Sequence, residues 1–236
     1  MNENQSISLR FLSGNALKLI AALTMLIDHV GMMFFPQHLF LRIIGRLSFP
    51  IYAFMVAEGC HYTKNRLRYF LSVFLLGALC QVVYSIFAPG GYMNILLTFA
   101  CAIPIIYLLQ ECKQRQSPEY WAALSAFVAF IYILCQNIAI LYGFWGVMLA
   151  VFAALFQPTR GKQIPILQNC LHVLFLGIGL VLLSANEVAT QYYSLLALPL
   201  LLLYSGQRGK GNFKYAFDLF YPLHLVALQA IAWLLS

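Results

Sequence analysis

Leu17 to Phe35 reads LKLIAALTMLIDHVGMMFF. About 20 apolar residues suffice to cross a bilayer as a helix, and this stretch is long enough. Asp28 and His29 nevertheless stand side by side inside it. A charged side chain at the centre of a membrane helix costs roughly 2.5–3.5 kcal/mol on insertion scales. A chain that keeps an acid and an imidazole there is expected to bury them against a partner and to use them. The next apolar stretch, Leu39 to Gly59, LFLRIIGRLSFPIYAFMVAEG, supplies Arg42, Arg46 and Glu58 as candidate partners.

The rest of the chain has the same character. Of 236 residues, 62% are hydrophobic and 9% charged, against about 25% charged in a soluble domain. That leaves too little polar surface for a water-soluble globule. The apolar runs are continuous rather than alternating, which excludes a β-barrel. The fold class is therefore all-α, a polytopic integral membrane protein. No linker or low-complexity tract divides it, so residues 1–236 read as a single domain. Cys60, Cys80, Cys101, Cys112, Cys135 and Cys170 form no CxxC pair and have no histidine at metal-finger spacing. They read as small buried hydrophobes, and no metal site is expected. The first apolar run is too long for a cleaved signal core and reads as a retained helix.

Apolar runs fall at 15–35, 39–60, 67–88, 93–111, 119–137, 141–157, 166–184, 189–205 and 214–235, predicting about nine transmembrane helices. The sixth is the shortest. Basic residues test this threading. Twelve of the 14 Lys and Arg fall at the N-terminus and in every second loop; Arg42 and Arg46 are the exceptions. The positive-inside rule then places the N-terminus in the cytoplasm. Topology thus accounts for the net charge of +7, and no nucleic-acid partner is implied. Trp121, Trp145 and Trp233 lie near run ends, as interfacial anchors do.

The first two runs make a hairpin turning near Gln37. Asp28 lies nine residues before that apex and Arg46 nine after, so the two are expected at one depth and paired. Adjacent helical residues point about 100° apart, so His29 should face another helix or a cavity. Lys18 shares the face of His29, about 16 Å toward the cytoplasm. Pro50 and Pro222 free the carbonyls of Arg46 and Asp218, and broken helices at membrane depth line protein cavities. Pro222 also brings His224 to a kink near mid-membrane. The ion pair either orients a site or only fixes helix register. His29 reads as a general base or a hydrogen-bonded structural imidazole, and His224 has the same two readings. Glu58 is a substrate contact or a helix-end carboxylate beside Lys64 or Arg66. His61 and His172 read as ordinary interfacial residues.

LKLIAALTMLIDHVG, LRIIGRLSFPIYAFMVAEG, NILLTFA, YGFWGV, SLLALPLLLLYSGQRGKG and FYPLHL, in that order, resemble the TraX family from about Ala16 to Leu228. That family takes its name from an enzyme that acetylates the N-terminus of a conjugative pilin with acetyl-CoA. It is similar to a broader group of membrane acyltransferases with an Arg, ten residues and a catalytic His in the first helix. His29 matches that histidine, and Lys18 stands where the arginine would be. The resemblance implies a multi-pass acetyltransferase of the bacterial inner membrane. Acetyl-CoA would be its donor, and a small membrane protein or a glycan its acceptor. On that reading His29, Asp28 and His224 carry catalysis, and Arg46, Arg42, Lys18 and Glu58 contact substrate. Lys64, Arg66, Arg68, Arg208, Lys210 and Lys214 would meet the nucleotide phosphates, because phosphates need clustered cations. A proton-coupled transporter and a non-catalytic assembly protein are the alternatives.

Overall fold

The computed structural model describes residues 10–87, 91–156, 166–211 and 214–235. Arg160, Lys162 and the side chains of Lys214 and Asp218 lie outside the described residues. The helices are α1 (Gly14–Phe34), α2 (Leu39–Gly45), α3 (Ser48–Tyr62), α4 (Arg66–Phe87), α5 (Ile95–Arg115) and α6 (Pro118–Asn137). They continue with α7 (Gly143–Ala154), α8 (Ile166–Ala185), a 3-10 helix (Ala189–Ala197), α9 (Leu198–Leu202) and α10 (Lys214–Leu235). By length and composition α1, the α2–α3 pair, α4, α5, α6 and α8 can each cross a membrane.

Local sequence explains the boundaries. Ser13 caps α1, its hydroxyl accepting from the Ala16 N–H at 3.2 Å, and Asn94 caps α5 through the Leu96 N–H at 3.0 Å. Pro118 opens α6 at a position where no N–H is needed. The second apolar run, expected as one helix, is two. It breaks at Arg46–Leu47, and Pro50 sits in the first turn of α3, leaving the Arg46 carbonyl without its usual i+4 donor. The eighth run, also expected as a transmembrane helix, is instead a nine-residue 3-10 stretch followed by the short α9. Pro199 lacks the N–H that the Leu195 carbonyl would need for an uninterrupted α-helix.

The sixth run is α7, whose 12 residues span about 18 Å against a hydrocarbon core of about 30 Å. Its place is the protein centre: Val147, Leu149 and Ala150 are fully buried. It packs among α3, α5 and α8, and the interfaces are rich in small residues such as Ala53, Ala57, Ala102, Ala150 and Ala153. Small residues let membrane helices approach closely, where lipid tails offer no hydrophobic drive to associate. The outer faces of α4 and α6 expose Leu75, Leu79, Val82, Phe130 and Ile133, as lipid-facing surfaces do.

Two backbone bridges tie loops together at the two ends of the helices. At the extracytoplasmic end Met93 pairs with Ile140, its N–H donating to the Ala139 carbonyl at 2.7 Å. At the cytoplasmic end Leu12 pairs with Tyr204. There the Gly14 and Asn15 N–H groups donate to the Gln207 and Arg208 carbonyls at 2.8 and 2.9 Å. The strap of residues 203–211 thus satisfies donors that α1 would otherwise leave open at its start.

Candidate functional site

Asp28 and His29 lie six and five residues before the outer end of α1, about 9 Å from it for Asp28. The acid is paired with Arg42 and not with Arg46: Arg42 Nη1 lies 2.8 Å from Asp28 Oδ2 and also donates to the Asp28 carbonyl at 3.3 Å. The hairpin does match depths across its two arms, but the residue level with Asp28 is Gly45. A Cβ built on Gly45 would lie 2.2 Å from both Asp28 Cβ and Oδ1. The absent side chain is what lets α1 and α2 close on each other. Arg46 is turned about 100° from Gly45 and donates from Nη1 to the Tyr142 hydroxyl at 3.1 Å.

His29 faces away from the ion pair, toward α10. Its Nδ1 lies 2.8 Å from the Met25 carbonyl, and His224 Nδ1 lies 2.8 Å from the Phe220 carbonyl. A carbonyl only accepts, so each Nδ1 carries the proton and each Nε2 keeps a lone pair. The two rings meet edge to face with centroids 5.0 Å apart, and His224 Nε2 lies 3.4 Å from His29 Nδ1. In the neutral ring His29 Nε2 is then the basic nitrogen, with the Nδ1 edge held by two acceptors. Phe220 stacks on His224 at 4.9 Å.

Around these residues lies an outer cavity of about 530 Å³. His29, Asp28, Arg42, Arg46, Tyr142 and Glu187 line it, with Tyr52, Tyr84, Tyr92 and Tyr221. Residues of the turns after α4, α6 and α8 contribute. Glu187 stands in the turn after α8, and its partial burial pushes its carboxyl above the ordinary range, against the pull of Arg46.

Two further cavities follow it inward. A narrow one of about 140 Å³ is lined by Lys18 and shares Met25, Tyr52, Ile95 and Tyr221 with the outer cavity. A third, of about 350 Å³, shares Tyr69, Val73, Leu76 and Leu96 with the narrow one. Thr63, Lys64, Asn65, Arg68 and Ser72 complete its wall at the start of α4. Asn65 caps that helix, its Oδ1 accepting from the Arg68 N–H at 2.9 Å. A helix N-terminus flanked by two cations is an electropositive pocket. The three cavities form a file from the cytoplasmic rim to His29.

The structure brings together Lys18, Asp28, His29, Arg42, Arg46, Lys64 and Arg68 along this file, with His224 behind His29. The others stand elsewhere. Arg66 is ion-paired with Glu111, which also takes Arg115 at 2.9 Å, and its guanidinium lies 5.2 Å from the Tyr107 ring. Arg208 and Lys210 belong to the strap over the start of α1. Glu58 is buried in α3 and lines none of the three cavities. His61 and His172 are not interfacial: both are fully buried. Nearness to a loop in sequence says nothing about the helices packed over it.

Sequence alone does not single out Tyr142, Gly45 and Glu187 as site residues. An acidic residue in an extracytoplasmic turn lacking Lys and Arg is a usable signal for Glu187. Gly45 and Tyr142 act through a close approach and a backbone twist, which no local pattern announces.

A family model described as TraX protein matches residues 13–232. A probable fimbrial assembly protein FimC, serogroup H1, of Dichelobacter nodosus is 27% identical, covering 90% of this chain and 92% of its own length. The uncharacterized protein RP591 of Rickettsia prowazekii (strain Madrid E) is 31% identical over 40% of this chain and 37% of its own. No solved structure matches.

Proposed function

The chain belongs to the TraX family, and from that footing we propose that it is a membrane-embedded acetyltransferase of the bacterial inner membrane. It moves an acetyl group from cytoplasmic acetyl-CoA to an amine or hydroxyl of a membrane or extracytoplasmic acceptor, a pilin-like N-terminus or a glycan. The observation that carries this reading is the row of cavities, sharing lining residues, that runs from the Lys64–Arg68 pocket to His29. The fimbrial assembly name of the Dichelobacter relative favours a pilin-like acceptor.

In this mechanism the nucleotide phosphates rest at the start of α4, on Lys64, Arg68 and the open backbone N–H groups. The pantetheine arm passes Lys18 through the narrow cavity and presents the thioester to the outer one. The acceptor enters from the extracytoplasmic side. As its nitrogen or oxygen attacks the carbonyl carbon, His29 Nε2 takes its proton. The tetrahedral oxyanion is met by Arg46. Its collapse breaks the carbon–sulfur bond, and the departing CoA thiolate takes the proton from His29, leaving as the thiol and restoring the base. His224 and the Met25 carbonyl hold the imidazole in the required tautomer throughout. Asp28 and Arg42 lock α1 to α2.

The test uses the full chain in lipid nanodiscs with acetyl-CoA, with glycinamide as amine probe and methyl glucoside as hydroxyl probe. The wild-type protein releases CoA thiol and acetylates one probe, whereas His29→Ala does neither while keeping its melting temperature. A fully active His29→Ala protein removes the base from the mechanism. A cavity file also suits a carrier, so flux into liposomes is measured in parallel. Flux without acetyl transfer would establish the carrier instead.

A further inference from the structure

The geometry points to a second residue on which the proposed chemistry depends: we infer that Tyr142 is the positioning residue that aims Arg46 at the reacting carbonyl. This rests on the acetyltransferase reading above.

Among the described residues, Gln116 and Tyr142 are the non-glycine residues with positive φ. Gln116 ends α5, where a left-handed residue is ordinary. Tyr142, at φ 61° and ψ 9°, instead precedes α7, where an extended residue is usual. A bulky aromatic in that region is strained and persists only where its surroundings fix it.

They fix it from four directions. The Leu141 N–H donates to the Met93 carbonyl at 3.2 Å, and the Thr98 hydroxyl donates to the Leu141 carbonyl at 3.0 Å. The ring stacks on Phe49 with centroids 4.3 Å apart and planes 11° apart. Gly146 leaves room for it, since a Cβ there would lie 2.4 Å from Tyr142 Cβ. The hydroxyl accepts from Arg46 Nη1.

The last contact gives the strain a use. Arg42 is committed to Asp28, so Arg46 is the guanidinium of this pair left for the cavity. The Tyr142 hydroxyl is the hydrogen-bond partner of its side chain among the described residues, and Arg46 Nε is buried without one. No other hydrogen bond among the described residues fixes the direction of this guanidinium. Tyr142 holds it in one direction, as a fixed donor must be held if it is to meet a developing oxyanion without reorganising.

Tyr142→Phe keeps the ring, its stacking and its volume, and removes the hydroxyl alone. In nanodiscs, with acetyl-CoA and the probe amine or alcohol that the wild-type protein uses, kcat is expected to fall about 10- to 100-fold. The KM for acetyl-CoA and the melting temperature stay at wild-type values. Arg46→Ala is expected to fall at least as far, and the double variant no further than Arg46→Ala, because the two residues act as one unit. A Tyr142→Phe protein with wild-type kcat overturns the assignment. So does a double variant slower than Arg46→Ala by the full Tyr142→Phe factor, which would make the residues independent. A wild-type protein that transfers no acetyl group to either probe overturns the acetyltransferase reading, and this role with it.

Discussion

Gly45→Ala tests the hairpin that carries the acid and the base. The added Cβ would begin 2.2 Å from Asp28 Cβ, where carbon atoms normally rest about 3.5 Å apart. Asp28 Cβ is fixed to the α1 backbone and cannot swing aside as a side-chain tip would. The clash is relieved by moving α2 from α1, by about 1.3 Å if all of it is taken there. The Asp28–Arg42 contact, now 2.8 Å, would open toward about 4 Å, beyond hydrogen-bond range. Overpacking of this kind costs about 1–3 kcal/mol. For a chain of this length that lowers the melting temperature by about 2–12 °C. Scanning fluorimetry of the purified protein in one detergent reads the shift. Asp28→Ala should not rescue it, because that variant keeps the offending Cβ; Asp28→Gly should. A Gly45→Ala protein that melts with the wild type, or one rescued by Asp28→Ala, would refute the close approach.

Arg42 and Arg46 should separate in their effects. Arg42→Ala strands a carboxylate whose Oδ1 already lacks a partner and is expected to cost about 1–3 kcal/mol of stability. Arg46→Ala should leave the melting temperature nearly unchanged and reduce turnover by about 10²-fold; equal melting losses in the two variants would contradict their assigned partners. Lys64→Ala combined with Arg68→Ala should raise the KM for acetyl-CoA about 10-fold at low salt and by less at high salt, with kcat retained. An unchanged KM would place the nucleotide elsewhere.

Periodicity and composition are enough to read the all-α membrane class and the order of most of the apolar helices. Those properties depend on composition summed over about 20 residues and tolerate local error. The expected partner of Asp28 falls one residue past Gly45, because equal counting from an apex at Gln37 puts Arg46 level with the acid, whereas the packed hairpin puts Gly45 there. The break at Arg46–Leu47 changes the direction of every side chain beyond it. His29 and His224 are each recognisable as ionisable residues in apolar runs. Their contact joins residues 195 apart in sequence and depends on how α1 and α10 pack. The 3-10 stretch is equally hidden, since its hydrophobicity is that of a spanning helix and only its hydrogen bonding differs. Arg66 groups with Lys64 and Arg68 by proximity in sequence, yet Glu111 on α5 draws it away.

The cytoplasmic strap has a bearing on how the protein is made. Helix α1 leaves the ribosome well before α10, yet its opening N–H groups are met by residues 203–211 and its histidine by His224. During synthesis the imidazole must wait until α10 arrives. A chain stopped before α10 would carry most of its helices and still lack the ring that meets His29.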